Sequence, residues 1–435
     1  MPLQSSLETF LGACAKRALR REKPTVIAVA GSVGKTSTKA AIAIALGAGE
    51  KGSDVAASEK NYNNELGVPL TIFGCDAPHR SPLRWMVLLS KAWLTSVGWM
   101  RLRAKVFVLE MATDKPGDLA YLLDIAPPSI GVLTAIGAEH TEFFGSIEAV
   151  AKEEAAVLDA LLEDGMAIVN ADDPLVHEAA LRTKAQYVSF GMSDSAMSRI
   201  VSSSVAIDET HPETSGLTVR ISLYGAVSTL HLAGCVGRAQ TYAVAAALAV
   251  CATFDHDIDA AIQRLESSFK MPGRMRLLEG IKRTWLIDDT YNSSTLAALS
   301  AIRDLAAFPI TSPGRRIAAL GDMLELGALA EDAHREMGHA AAEAGIDMLI
   351  ACGTLAHVTA QGARDAGMSD DRIFVFAKSP EVGLFIQERL KEHDVVLIKG
   401  SQGIRMERVT KELMAHPDKA EELLVRQSPD WLAKP

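Results

Sequence analysis

An apolar run, Val26-Ile27-Ala28-Val29, gives way to Ala30-Gly31-Ser32-Val33-Gly34-Lys35-Thr36-Ser37-Thr38. A buried strand that enters a glycine turn and restarts as a helix at Lys-Thr has the build of a phosphate cradle. The glycines let backbone N–H groups close on phosphate oxygens, and the helix N-terminus adds partial positive charge. Lys35 reaches terminal phosphates and Thr36 offers a hydroxyl to Mg²⁺. Gly31, Ser32, Gly34, Lys35, Thr36 and Ser37 are the expected nucleotide contacts. The full P-loop spacing asks for glycine at position 29, where Val29 stands. A glycine-rich strand-to-helix turn without a ligand is the plain alternative.

A chain of 435 residues has room for two or three domains. Its net charge of −10 gives no reason to expect a nucleic acid partner. Cys14, Cys75, Cys235, Cys251 and Cys352 are scattered, with no C-x-x-C pair. They fit reduced thiols in a cytoplasmic protein better than disulfides or a zinc site. Residues 1–22 hold no continuous apolar segment of the kind a secretory leader needs. Leu7, Phe10, Leu11 and Cys14 fall at helical spacing, and Ser5 with Glu8 matches a capping box. A short amphipathic helix over 1–22 is expected.

Buried parallel strands are expected at 26–30, 106–110, 129–134 and 166–170, where apolar residues run without alternation. Residues 196–235 alternate instead, at Leu217, Val219, Ile221 and Leu223, as antiparallel strands with one wet face do. An alanine-rich helix follows at 238–252. Met271-Pro272-Gly273-Arg274 punctuates the chain and marks a boundary. The remainder repeats strand and helix, with strands expected at 284–288, 316–320, 347–351, 372–376 and 394–398. The expected fold is α/β. A P-loop central domain with a mixed sheet, 23–271, precedes a doubly wound, Rossmann-like domain, 272–435.

Residues 83–103 stand apart. They carry Trp85, Trp93 and Trp99 with Arg84, Lys91, Arg101 and Arg103, and no acidic residue. Two readings fit: an interfacial helix in weak contact with a membrane surface, or a buried or partner-facing helix with snorkelling ends. The second is the more economical. Lys91 in the middle argues against a membrane span.

Glu110 ends the strand Val106-Phe107-Val108-Leu109, at the edge where parallel sheets bind ligands. It suits Mg²⁺ beside the phosphates. His140 follows another strand, in Gly137-Ala-Glu-His-Thr-Glu142, and leaves toward the same edge. The second half has three polar clusters after strands: Asp288-Asp289-Thr290-Tyr291-Asn292, Leu320-Gly-Asp-Met-Leu-Glu-Leu-Gly327 and Lys399-Gly400-Ser401. Each alone reads as caps and turns; together they suggest a second binding surface.

These stretches, with Asn61-Tyr-Asn-Asn-Glu-Leu-Gly-Val-Pro-Leu70, Asn170-Ala-Asp-Asp173, Pro272-Gly-Arg-Met275 and Arg405-Met-Glu-Arg408, resemble the Mur ligase superfamily in content and order. Within it the sequence is most similar to the MurF type. The resemblance implies an ATP- and Mg²⁺-dependent ligase that phosphorylates a carboxylate and lets an amine attack the acyl phosphate. It implies that Lys35 holds the terminal phosphates and that Thr36 and Glu110 hold one Mg²⁺, with His140 helping to hold a second. It further implies nucleotide contacts from Arg274 and Asp289 across a domain cleft, and small-molecule or peptide substrates near Asn63, Asn64, Tyr291, Asn292 and Lys399.

Three departures from the family pattern bear on function. Only 34 residues precede Lys35, whereas the MurF type carries an additional N-terminal domain for a UDP-sugar; residues 75–105 are the candidate substitute. The helix after the central strands usually carries a carbamylated, metal-binding lysine, and Glu154 falls at that position in Val150-Ala-Lys-Glu-Glu-Ala-Ala-Val157. A glutamate already bears the charge that carbamylation creates; Lys152 is the rival, and a solvated surface glutamate the plain reading. Third, the adenine-side pattern reads Ala239-Gln240…Ala243, leaving Gln240 to offer an amide to the base. The alternatives to a MurF-like ligase are a peptide-polymer or folate-polyglutamate type ligase, and a nucleotide-binding subunit of a larger complex.

Overall fold

A computed structural model describes residues 2–58, 62–78, 81–113, 115–137, 144–311 and 313–434, with side chains from Ser6 onward. The chain divides into two compact units. One comprises 1–202, 220–228 and 242–269; the other 203–219, 229–241 and 270–435. A single cut at 271/272, as expected from the sequence, does not include this interleaving of 203–241.

In the first part of the chain, α1 (Pro2–Glu22) leads into β1 (Thr25–Ala30) and α2 (Lys35–Ala45). There follow β2 (Val55–Ala57), α3 (Gly67–Phe73), α4 (Pro82–Val97), β3 (Val106–Glu110), α5 (Asp118–Ile125) and β4 (Ile130–Leu133). Next are β5 (Met166–Asn170), β6 (Gln186–Gly191), β7 (Ser198–Ala206), β8 (Gly216–Leu223) and β9 (Ala226–Ala233). They form one sheet in the order β2-β3-β1-β4-β5-β6-β7-β8-β9. Pairing from β2 to β7 is parallel. Residues 26–30 of β1 are at most 3 % exposed, so the strand is covered on both faces, as its unbroken apolar run requires. A two-residue turn, Tyr224-Gly225, with φ +48° and +91°, joins β8 to β9.

α1 is the expected N-terminal helix, but it starts at Pro2. Ser5 is therefore already inside the helix rather than ahead of its first turn.

The later strands are β10 (Arg276–Gly280), β11 (Thr284–Asp289), β12 (Arg316–Gly321), β13 (Met348–Cys352), β14 (Ile373–Phe376) and β15 (Val395–Lys399), in the order β10-β11-β15-β12-β13-β14. Five are mutually parallel, and β10 is an antiparallel edge. Alternate residues serve two cores. Leu277, Ile287, Ala318, Leu320 and Leu397 enter one, and Leu278, Leu286, Ile317, Ala319 and Val396 the other. That period-two division of apolar side chains is what makes the sheet doubly wound.

Candidate active site

Chain geometry at the β1 exit demands glycine. Gly31 has φ +126° and Gly34 φ +90°. A Cβ on Gly31 would collide with Thr134 Oγ1 and lie 3.0 Å from the Ala135 carbonyl. The loop is pinned to the β4 exit: Thr134 Oγ1 donates to the Val33 carbonyl at 2.7 Å, and Ser32 N–H to the Ala135 carbonyl at 2.7 Å. The N–H groups that open α2 precede its first intrahelical hydrogen bond, so they are available to an anion.

The charged groups around this loop are nearly all buried. Lys35 Nζ donates back to its own loop, to the Gly31 carbonyl and, at 3.2 Å, to the Ser32 carbonyl. Thr36 Oγ1 donates to Glu110 Oε1 at 2.9 Å, and Asn63 Nδ2 reaches the same oxygen at 3.3 Å. Glu110 Oε2 is buried without a hydrogen-bond partner, 3.7 Å from Lys39 Nζ. Lys39 itself is 3 % exposed and donates to the Ser58 carbonyl at 2.8 Å. Ser37 is buried as well. Lys39 was not among the expected site residues, because a lysine in an apolar helix reads as a surface side chain.

Glu154 is 3 % exposed, and its Oε2 accepts the Gly31 N–H at 2.7 Å. Its helix, Ile147–Asp159, begins at Ser146, whose hydroxyl accepts the Ala149 N–H. Successive residues fan about the axis and separate three roles. Lys152 is exposed. Glu153 accepts the Gly117 and Leu119 N–H groups at 3.0 Å, capping α5. Glu154 alone of the three turns to the glycine loop. His140 lies outside the described residues. Asn64 is exposed, and its side-chain carbonyl accepts the Gly67 N–H at 2.9 Å, which ties it to the start of α3. Among the described residues no three His, Cys, Asp or Glu side chains cluster as a ready-made metal site.

The second unit has its own polar cluster at the ends of β11, β12 and β15. Lys399 Nζ donates to Asp289 Oδ2 at 2.7 Å and to the Asn292 carbonyl at 3.0 Å, and Asp289 Oδ1 accepts the Met275 N–H at 3.1 Å. Asp288 accepts from Thr290 Oγ1 and Thr410 Oγ1 at 2.8 Å and from the Gly273 N–H at 3.0 Å. Complete burial nevertheless pushes its carboxyl up to about 6. The Arg274 guanidinium lies 4.2 Å from the Tyr291 ring centroid. Gln240 Nε2 donates to the Arg274 carbonyl at 2.8 Å, while its Oε1 is buried without a hydrogen-bond partner. Asp322 accepts the Thr354 and Leu355 N–H groups at the start of the helix Ala356–Asp365. The five cysteines are free; burial pushes Cys235 up to about 11 and Cys251 and Cys352 up to about 12, so these three stay thiols.

Comparison with known proteins agrees with this layout. Residues 94–251 match the Mur ligase middle domain and residues 273–402 the Mur ligase, glutamate ligase domain. The UDP-N-acetylmuramoyl-tripeptide–D-alanyl-D-alanine ligase of Bacillus subtilis is 28% identical over 411 residues, 94% of this chain and 80% of that protein. The enzyme of that name from Synechocystis is 30% identical over 395 residues, 90% of this chain and 74% of that protein. A crystal structure of MurF ligase from Thermotoga maritima in complex with ADP superposes with a TM-score of 0.75 at 27% identity, covering 94% of this chain and 83% of that one. The chain thus belongs to the Mur ligases, ATP-dependent enzymes that join a carboxylate to an amine through a C–N bond.

Proposed function

We propose that this chain is a cytoplasmic MurF-like ligase whose carboxylate substrate is a muramoyl-peptide and whose amine is D-alanyl-D-alanine. The substrates follow the names of the B. subtilis and Synechocystis relatives. The observation that carries the reading is the buried oxygen of Glu110 with no hydrogen bond, beside Thr36, Lys39 and Asn63 at the mouth of the glycine loop. A carboxylate and a hydroxyl supply the hard oxygen ligands that Mg²⁺ takes, so these residues fit the ion. Bound there, Mg²⁺ would neutralise charge on the transferring phosphoryl group.

In the reaction a carboxylate oxygen attacks the γ-phosphorus of ATP and ADP leaves. The amine nitrogen then attacks the acyl carbon, phosphate departs with the C–O bonding pair, and the nitrogen gives up a proton. Lys35 exchanges its own loop carbonyls for phosphate oxygens, and the loop N–H groups hold the β-phosphate side. Glu154 would add negative charge beside the loop to hold a second metal, for which His140 would be a further ligand. Ser32, Ser37, Gln240, Arg274 and Asp289 are assigned to the nucleotide. Asn63, Asn64, Tyr291, Asn292 and Lys399 are assigned to the two substrates.

The test is an incubation with ATP, Mg²⁺, UDP-N-acetylmuramoyl-tripeptide and D-alanyl-D-alanine. The expected result is phosphate release that needs both substrates, with a product of the summed mass less water. Phosphate release indifferent to the dipeptide, with no joined product, would overturn the substrate assignment while leaving the ligase family untouched.

A further inference from the structure

We infer that the outward face of α4, with the segment that follows it, is a docking surface for an anionic lipid bilayer. α4 is apolar on two opposite sides. Leu88, Ala92, Thr95 and Ser96 are buried against the unit. On the other side Leu83, Met86, Val87, Trp93 and Val97 recur at helical spacing, with exposures of 65, 59, 59, 46 and 38 %. Trp99, just past the helix, is 77 % exposed. A water-soluble surface helix needs one apolar stripe; the second has no core to enter. Trp93 and Trp99 stand edge to face with ring centroids 5.9 Å apart, and indole is the side chain best suited to the headgroup boundary.

Charge selects the occupant. The chain carries −10 overall, yet residues 77–109 contain no acidic side chain. Arg84 and Lys91, two helical turns apart, flank the apolar stripe, and Arg101 and Arg103 follow it. Among the described residues none of the four is seen in an ion pair. Cations beside an outward apolar stripe match an interfacial helix lying in an anionic leaflet, where each cation near the surface adds to binding. A second copy of this chain is disfavoured, because it would bring these cations face to face. The surface is built in rather than a loose arm. Ser81 caps α4 at its start and Gly98, φ +93°, closes it. Arg21 of α1 donates to the Ser96 carbonyl at 3.0 Å, and Glu22 accepts the Leu102 N–H at 3.0 Å. Among the described residues no helix is long and apolar enough to cross a membrane, so the contact is peripheral.

Vesicle flotation of the full chain tests this, with phosphatidylcholine alone and with about one-third phosphatidylglycerol, at low and high salt. The protein should float with the anionic vesicles at low salt only, and its tryptophan emission should shift to the blue. The double variant Met86→Glu/Val87→Glu should lose at least about tenfold in vesicle partitioning, with its circular dichroism and unfolding midpoint unchanged. Lys91→Glu should weaken binding less. Three results would overturn the inference: no flotation and no emission shift with anionic vesicles; flotation unchanged in the double variant; or, without lipid, a dimer that the double variant dissociates, which would make a second copy the occupant.

Discussion

The strand-end clusters of the two units differ in what their charges are left to do. At the glycine loop, Glu110 keeps a buried oxygen without a hydrogen bond, and Lys35 is parked on carbonyls of its own loop. At the β11–β15 edge, charges answer one another: Asp289 is held by Lys399, Asp322 by two backbone N–H groups, and Glu407 by Arg405 and Arg426. A buried charge with its partners in place holds a structure together, and removing one partner strands the other. A buried carboxylate oxygen left without a hydrogen bond, as Glu110 Oε2 is even with Lys39 Nζ 3.7 Å away, costs stability and persists where a ligand completes it. The first cluster thus has the character of an incomplete site and the second that of a scaffold that also presents groups to a ligand.

The largest effect should come from breaking the scaffold. Lys399→Met leaves the Asp289 carboxylate unpaired beside buried backbone, and should destabilise the second unit by about 3 kcal/mol. Native-state hydrogen exchange at β11 and β15 would read this locally. Exchange unchanged there would mean that the pair is not structural, and the contrast between the clusters would fail. Lys35→Ala should do the reverse. Its ammonium neutralises the transferring phosphoryl group, so phosphate release should fall by about 10²-fold or more, about 2.7 kcal/mol, with unfolding little changed. Wild-type turnover in that variant would remove the basis for an incomplete site.

A smaller effect concerns pH. Asp304, in the second unit, is pushed up to about 6 by burial, against the pull of the Arg238 N–H and guanidinium. A raised carboxyl means the native state holds more protons than the unfolded chain between pH about 4 and 6. Its stabilising contribution is complete below the unfolded value and lost as pH rises through about 6. Asp304→Asn cannot titrate. Relative to wild type it should gain on the order of 2 kcal/mol in unfolding free energy between pH 4 and 7, measured in denaturant. An equal pH slope in both proteins would show that Asp304 is not held neutral by burial.

The sequence made the two αβ patterns and the glycine loop legible, because buried parallel strands are unbroken apolar runs and glycine at the β1 exit is sterically required. It did not reveal β2, β6 or β10. β2 has only three residues; β6 opens with exposed Gln186 and Tyr187; β10 is an edge strand with an exposed Glu279. None carries the apolar run that marks a central strand. Lys39 was hidden for another reason: its burial comes from Ser58 and Glu110, residues distant in sequence. The outward stripe of α4 was also ambiguous, since a helix apolar on both sides looks in sequence like one that is fully buried.

The finest effect lies at Glu154, where the two kinds of cluster meet in one residue. Its carboxylate is buried and accepts the Gly31 N–H, so it has a structural hydrogen bond, but it also puts a negative charge against a loop built for anions. Such a charge is unfavourable beside phosphates unless a cation lies between them. Glu154→Gln keeps an oxygen for the Gly31 N–H and removes only the charge. If Glu154 serves the loop alone, activity and its Mg²⁺ dependence should be untouched. If it serves a metal, the Mg²⁺ needed for half-maximal phosphate release should rise by about tenfold, about 1.4 kcal/mol, with ATP affinity changed less. Bicarbonate should make no difference to the wild-type enzyme, because its carboxylate is built in, while Glu154→Lys should become responsive to it. A magnesium titration of wild type and Glu154→Gln, with and without bicarbonate, separates these outcomes; an identical half-maximal Mg²⁺ in both proteins would assign Glu154 to the scaffold.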